Sequence, residues 1–328
     1  MMGVCRQPKP AVEKSPDYDG PPHAWGVVLA GGKGMRLRGL TRHLYGEDRP
    51  KQYAVLTGLK SLLRQTLDRV SLLIPRERTI VVTMAGQGSY MSAELRHESP
   101  VPHVLEQPTD RGTAAAVLLA AHRIMAQDPQ AILIVLPSDH FVADDEVFME
   151  HVAEIVESLE RFPERIVLLG AEPSEPETDY GWIELGEPLP RSGRRPMHRV
   201  LSFREKPTQL RADELFRSGA LWNTFVFAGR ASTLVDAGRT CLPSLHERLA
   251  RLDDFVGTEH ERWATGQAYE LAERASFSRS VLERCSDKLA VMRLSEVSWC
   301  DLGTPERVVK TLDELGIRPE WLAALPLS

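Results

Sequence analysis

From Trp25 onward the chain alternates short, uninterrupted apolar runs with amphipathic stretches of helical period. GVVLA (26–30), TIVVT (79–83), HVLEQ (103–107), ILIVL (132–136) and IVLLG (166–170) read as strands. Runs that are apolar at nearly every position, not at every second one, belong to strands covered on both faces. Between them, 62–73, 89–97, 113–127 and 145–162 carry helical spacing. The regular exchange of the two periods predicts βαβ units, hence a parallel sheet between helical layers, with ligands at the C-terminal ends of the strands. After Thr178 the pattern loosens: YGWIEL, HRVLSFRE and LAVMRLS read as strands, and 208–238 and 242–286 mostly as helix. No internal repeat is present, and the residues after DLGTPE are too few for a second folded domain.

Composition narrows the class. Of 328 residues, 42% are hydrophobic and 26% charged, an ordinary balance for a chain with a packed core. The net charge of -6 gives no broad basic surface, so nucleic acid is not the expected partner. Cys5, Cys241, Cys285 and Cys300 form no C-x-x-C pair, which fits a reducing compartment better than a disulfide or zinc framework. No apolar run reaches the roughly 18–20 residues of a membrane span, and the first 24 residues, rich in proline and charge, read as a disordered tail without a signal peptide's apolar stretch. The expected location is the cytoplasm, without membrane association; homo-oligomerisation is left open.

The first strand runs directly into GGKGMRLRGLTRHLYGEDRPKQY, in which Gly31, Gly32 and Gly34 permit close backbone approach and Lys33, Arg36 and Lys51 supply positive charge. That is a phosphate-loop composition. It is not a Walker loop, because Leu40 stands where the lysine must be. It is not a dinucleotide fingerprint either, because Leu37 replaces the small residue needed for helix packing.

LAGGKGMRL followed by RPKQY resembles the signature of the nucleoside-diphosphate-sugar pyrophosphorylases, and its P-K-Q form is most similar to the mannose-1-phosphate guanylyltransferases. EQPTDRGTAAA (106–116), LPSDH (136–140), DYGWIE (179–184), FREKP (203–207), WNTFVF (222–227) and WCDLGTPE (299–306) come after it in the family's order. The resemblance spans roughly 25–315. It implies a Rossmann-like three-layer αβα nucleotidyltransferase with a mostly parallel central sheet. The implied division is a nucleotide-binding part over about 25–170, a sugar-binding part over about 171–303, and a short helical tail over 316–328. The implied reaction transfers a nucleotidyl group from GTP to mannose 1-phosphate, giving GDP-mannose and pyrophosphate. Alternatives are a sister enzyme using UTP or dTTP with glucose 1-phosphate, and a regulatory subunit that binds a nucleotide sugar without turning it over.

The reaction brings two anions together. Like charges about 4 Å apart repel by roughly 4 kcal/mol at an effective dielectric near 20, so fixed cations and positioning supply most of the catalysis. The resemblance assigns Arg36 and Lys51 to the triphosphate and transition state and Lys206 to the sugar phosphate. It assigns Gly31, Gly32, Gly34, Gln107 and Gly112 to the nucleotide, and Tyr180, Gly181, Glu205 and Asn223 to the sugar. Asp139 ends a buried strand, where a carboxylate is costly unless it caps a turn or binds a cation; the residues alone leave both open. Asp301 also comes just after a strand, and Thr304-Pro305 is itself a good helix start, which frees Asp301 from capping. The resemblance makes Asp139 and Asp301 the holders of Mg²⁺. The ten histidines are expected to be structural, since a phosphate oxygen needs no general base.

Four positions depart from the family pattern: Gly39 stands in place of a proline, Asp110 in place of an asparagine, and Thr224 and Phe225 in place of small residues. They bear on which base and hexose are used rather than on the reaction.

Overall fold

The buried runs form the strands they predict. In a computed structural model describing residues 20–96, 98–190 and 193–324, β1 (Ala24–Leu29), β2 (Thr79–Met84), β3 (His103–Gln107) and β4 (Ile132–Pro137) lie side by side and parallel. The expected tail over 1–24 falls outside these residues except at its end, where Ala24 already pairs with Ile132 in β1–β4. A short β5 (Phe141–Val142) comes after β4, and β6 (Ile166–Ala171), β7 (Gly181–Pro188), β8 (Met197–Glu205), β9 (Leu221–Arg230), β10 (Leu289–Leu294) and β11 (Trp299–Cys300) complete the set. The main sheet has nine strands in the order β3-β2-β1-β4-β9-β6-β10-β8-β7, and β5 pairs with β11 apart from it.

The three-layer α/β arrangement is as expected, and the sheet itself is mixed. The N-terminal half and the β6–β10 pair are parallel; β9 runs antiparallel to both β4 and β6 at the centre, and β7–β8 is an antiparallel hairpin. The central strand β9 overturns the helical expectation for 208–238, of which only α6 (Gln209–Arg217) and α7 (Ala231–Cys241) are helical. Burial decides it: LWNTFVFAGR is buried at all but two positions, packing against helices on both faces of the sheet. Its register slips at Leu169/Gly170. There the Thr224 hydroxyl donates to the Leu169 carbonyl at 2.6 Å and Phe225 takes a positive φ of 60°.

The remaining helices are α1 (Arg38–Tyr45), α2 (Leu62–Val70), α3 (Gly88–Leu95), α4 (Gly112–Met125), α5 (Asp145–Arg161), α8 (Pro243–Ala250), α9 (Glu261–Glu270) and α10 (Pro305–Glu314). Successive strand residues feed opposite cores. Val27 packs with α4, α7, α8 and α9 on one face, and Val28 with α2, α3 and α5 on the other. Among the described residues no helix is long and apolar enough to cross a membrane. Cys241 and Cys285, far apart in sequence, lie buried with their sulfurs 3.1 Å apart as thiols.

Candidate active site

The C-terminal ends of β1, β3 and β4 open onto one mouth, as a parallel sheet dictates. The chain leaves β1 as a glycine loop whose shape is held from inside. Gln52, buried, donates its amide to the carbonyls of Ala30 (2.7 Å) and Gly32 (2.9 Å), and Gln87 donates to Gly32 at 3.3 Å. Gly34 has φ +60°, and a Cβ there would stand 2.7 Å from the Lys51 backbone nitrogen. Only glycine lets the loop and the lysine segment come this close.

Lys51, 5% exposed, is the hub. Its Nζ donates to Asp139 Oδ2 at 3.1 Å and to the main-chain carbonyl of Asp301, joining residues far apart in sequence. Arg36, half exposed, donates to Asp179 and lies 3.8 Å from Asp301 Oδ2. Burial pushes both aspartates up, yet Lys51 beside each of them, and Arg307 beside Asp301, hold both carboxyls net below the usual range. Both are ionised at neutral pH.

Asp301 is more heavily engaged than a residue freed from capping. Thr304 does cap α10, its hydroxyl accepting from the Arg307 N–H. Asp301 Oδ1 meanwhile accepts from the Tyr180 hydroxyl (2.7 Å), the Gly303 N–H (2.9 Å) and Arg307 (3.0 Å). Arg307 is the cation the sequence reading missed. One turn into α10 it reaches back to Asp301, pairs with Glu177, and lies 4.6 Å over the Tyr180 ring. Its place in TPER, just after the cap, was the available signal. His140 is half-buried, edge-on against Trp299, and its imidazole is pushed down to about 4, chiefly by desolvation, so it is neutral at physiological pH.

The donor set suits a hard cation. Asp139 Oδ1 lies 3.8 Å from His140, and Asp301 Oδ2 lies 3.3 and 3.8 Å from Arg307 and Arg36. Among the described residues no group of three or more His, Cys, Asp or Glu side chains could hold a metal. A cation here would therefore take two carboxylates and complete its shell with phosphate oxygens and water, the usual habit of Mg²⁺.

A cavity of about 530 Å³ extends from this corner toward the end of β3. Gly31, Gly32, Gly34, Gln107, Gly112 and Asp139 all line it. A second hollow of about 250 Å³ holds Arg36 and Lys51 and shares Gly34 and Asp139 with the first. Gly112 has its own structural reason: φ is +79°, and a Cβ would lie 2.3 Å from the Ala275 carbonyl oxygen. That contact brings in the segment after α9. The Ala114 N–H donates to Ala275, the Ala275 N–H to Arg111, the Phe277 N–H to Thr113, and Arg111 to the Tyr269 and Glu270 carbonyls. The stretch 242–286 thus closes the Gly112 side of the mouth.

Of the residues expected to take the sugar, Gly181 pairs with Glu205 across β7–β8, and a Cβ on it would touch both Glu205 and Asn223. Burial raises the Glu205 carboxyl. Lys206 is exposed, with φ +52°, its N–H donating to the Tyr180 carbonyl at 3.1 Å. Asn223 accepts from the Phe225 N–H, and Trp182 is fully buried against Trp222. Lys206, Phe225 and Leu302 are three of the four non-glycine residues with positive φ among the described residues, each about 1–3 kcal/mol of local strain. Phe225 lines the larger cavity and Leu302 follows Asp301, whereas Lys206 lines neither hollow.

A three-layer α/β protein with a glycine loop, a buried lysine and two aspartates at one strand-end mouth belongs to the class that handles nucleoside phosphates. The family described as Nucleotidyl transferase matches residues 25–315, and the chain belongs to it. It is 31% identical over 297 residues to "Alginate biosynthesis protein AlgA" of Pseudomonas aeruginosa, covering 85% of this chain and 56% of that protein. It is 30% identical over 288 residues to "Mannose-1-phosphate guanylyltransferase 2" of Escherichia coli O157:H7, covering 85% and 58%. The chain thus spans little more than half the length of these relatives. A crystal structure from Thermus thermophilus, described as mannose-1-phosphate geranyltransferase, superposes with a TM-score of 0.72 at 35% identity, covering 86% of this chain and 76% of that one.

Proposed function

We propose that the chain transfers a guanylyl group from GTP to mannose 1-phosphate in the cytoplasm, releasing pyrophosphate and forming GDP-mannose. The observation that carries this reading is the convergence of Lys51, Asp139 and Asp301, with Arg36 beside them, at the edge of a cavity lined by the glycine loop. The named relatives supply the choice of substrates.

In this reading the base and ribose occupy the larger cavity, and the triphosphate runs over the glycine loop toward Lys51 and Arg36. Lys51, already fixed by Asp139 and the Asp301 carbonyl, loses no further side-chain freedom on meeting an anion, which is the preorganisation phosphoryl chemistry needs. Arg36 exchanges Asp179 for phosphate oxygen. The sugar phosphate, held by Lys206 and oriented at Tyr180, Gly181, Glu205 and Asn223, attacks the α-phosphorus in line with its own oxygen. Asp139 and Asp301 would hold Mg²⁺, which neutralises charge on the transferring and leaving phosphates.

A matrix of GTP, UTP, dTTP and ATP against mannose 1-phosphate and glucose 1-phosphate, read by pyrophosphate release with and without EDTA, tests this. The expected result is turnover with GTP and mannose 1-phosphate that EDTA abolishes. Preference for UTP with glucose 1-phosphate would keep the reaction and replace the substrates. Pyrophosphate release from no pair would leave the family fold without the proposed activity.

A further inference from the structure

The base end of the cavity contains a pair that the proposed chemistry leaves unused. Tyr269, near the end of α9, is fully buried, and its hydroxyl donates to Gln107 Oε1 at 3.1 Å. Gln107, 4% exposed, ends β3 and lines the cavity. Its Nε2 lies 3.7 Å from Met84 Sδ, a weak acceptor, and 3.3 Å from where a Cβ on Gly31 would be. The carbonyl half of the amide is therefore occupied inside the protein, and the amino half faces the glycine loop.

An unrestrained glutamine can turn its amide over and offer a base either a donor or an acceptor. Here the turn would present an amide N–H₂ to the Tyr269 hydroxyl: its oxygen could accept, but its own buried O–H would lose the acceptor it has in Gln107 Oε1, a cost that disfavours the turned amide. Burial pushes the Tyr269 phenol above its ordinary value, so it stays protonated and remains a donor. The ring does not depend on that hydroxyl for its position. Arg111 donates to the carbonyls of Tyr269 and Glu270, and Ala275 exchanges backbone hydrogen bonds with Arg111 and Ala114.

We propose that Tyr269 is a positioning residue that fixes the Gln107 amide with its N–H₂ toward the cavity, so that the site takes bases with a carbonyl oxygen there and rejects those with an amino group. The inference rests on the reading of this cavity as the nucleotide site. Guanine, uracil and thymine present such an oxygen; adenine and cytosine present an N–H₂ in the same place. A donor meeting a donor leaves buried polar groups unpaired, which is how a hydrogen-bonding pocket discriminates more sharply than an apolar one.

The test is calorimetric binding of GTP and ATP to the full-length wild type, Tyr269→Phe and Gln107→Glu, with melting temperatures for each. Wild type is expected to favour GTP. Tyr269→Phe keeps the ring and frees the amide, so the GTP-to-ATP preference should fall by about tenfold, the size of one lost hydrogen bond, with the KM for mannose 1-phosphate unchanged. Gln107→Glu offers only acceptors, one taken by Tyr269, and should move the preference toward ATP. A Tyr269→Phe protein that folds and discriminates like wild type overturns the proposal. So does a Gln107→Glu protein with an unaltered preference, even if the phenylalanine variant fails to fold. A wild type that binds neither nucleotide overturns the reading of the cavity itself, and the proposal with it.

Discussion

At the end of β3, Gln107 and Tyr269 meet through neutral groups, whereas at the ends of β1 and β4 Lys51, Arg36 and Arg307 face Asp139, Asp301, Asp179 and Glu177. The first region is closed mainly by hydrogen bonds to the main chain: residues 269–277 are laced to 110–114 by backbone, hydroxyl and Arg111 guanidinium donors, with an exposed Arg274–Asp110 ion pair at 3.2 Å beside them. The second is closed by charge, with cation and carboxylate alternating across segments far apart in sequence. A neutral pocket reads shape and hydrogen-bond direction; an alternating charge cluster holds its cations rigid for a polyanion. If the Gln107 end takes the base and the Lys51 corner performs the transfer, as proposed, the two are separable, and substitutions in one region should spare the measure that belongs to the other.

The largest separation is expected for Asp301→Asn. It removes one carboxylate from the corner and none from the cavity, so turnover should fall on the order of a thousandfold while GTP binding stays within about threefold. Near-normal turnover at saturating Mg²⁺ would remove Asp301 from the metal assignment. A smaller effect, and the reverse pattern, is expected for Gly112→Ala. The new Cβ meets the Ala275 carbonyl at 2.3 Å in a positive-φ backbone, which should cost about 2 kcal/mol in denaturant unfolding and raise the nucleotide KM several-fold with little change in kcat. Unchanged stability would show that the 269–277 segment yields freely and does not close the cavity.

How far the sequence foretold this differs along the same divide. The parallel strands were legible because burial on both faces leaves unbroken apolar runs, and the loops at their ends were legible because topology names which ends to inspect. Lys51, Asp139 and Asp301 were found through motifs, and their convergence is geometric. Three things were not legible. β9 was absorbed into a helical stretch, since Asn223, Thr224 and Gly229 dilute its apolar run and only its neighbours β4 and β6 make it a strand. Arg307 was not singled out, since only its reach back to Asp301 across the start of α10 sets it apart. Tyr269 acts on a residue 162 positions away, and nothing local announces that. The stretch 242–286, read from the sequence only as mostly helix, is fastened to the loop around Gly112.

The account turns on whether the charged corner performs chemistry on a nucleotide held in the cavity beside it. Lys51→Met, which keeps most of the side-chain volume and removes the charge, tests this most directly when GTP affinity and single-turnover formation of the sugar nucleotide are measured on the same preparation. The expected result is a rate constant lower by about two to four orders of magnitude with GTP affinity reduced by less than tenfold. A single-turnover rate close to wild type would contradict it, because the residue that joins Asp139 to Asp301 would then have no part in the reaction.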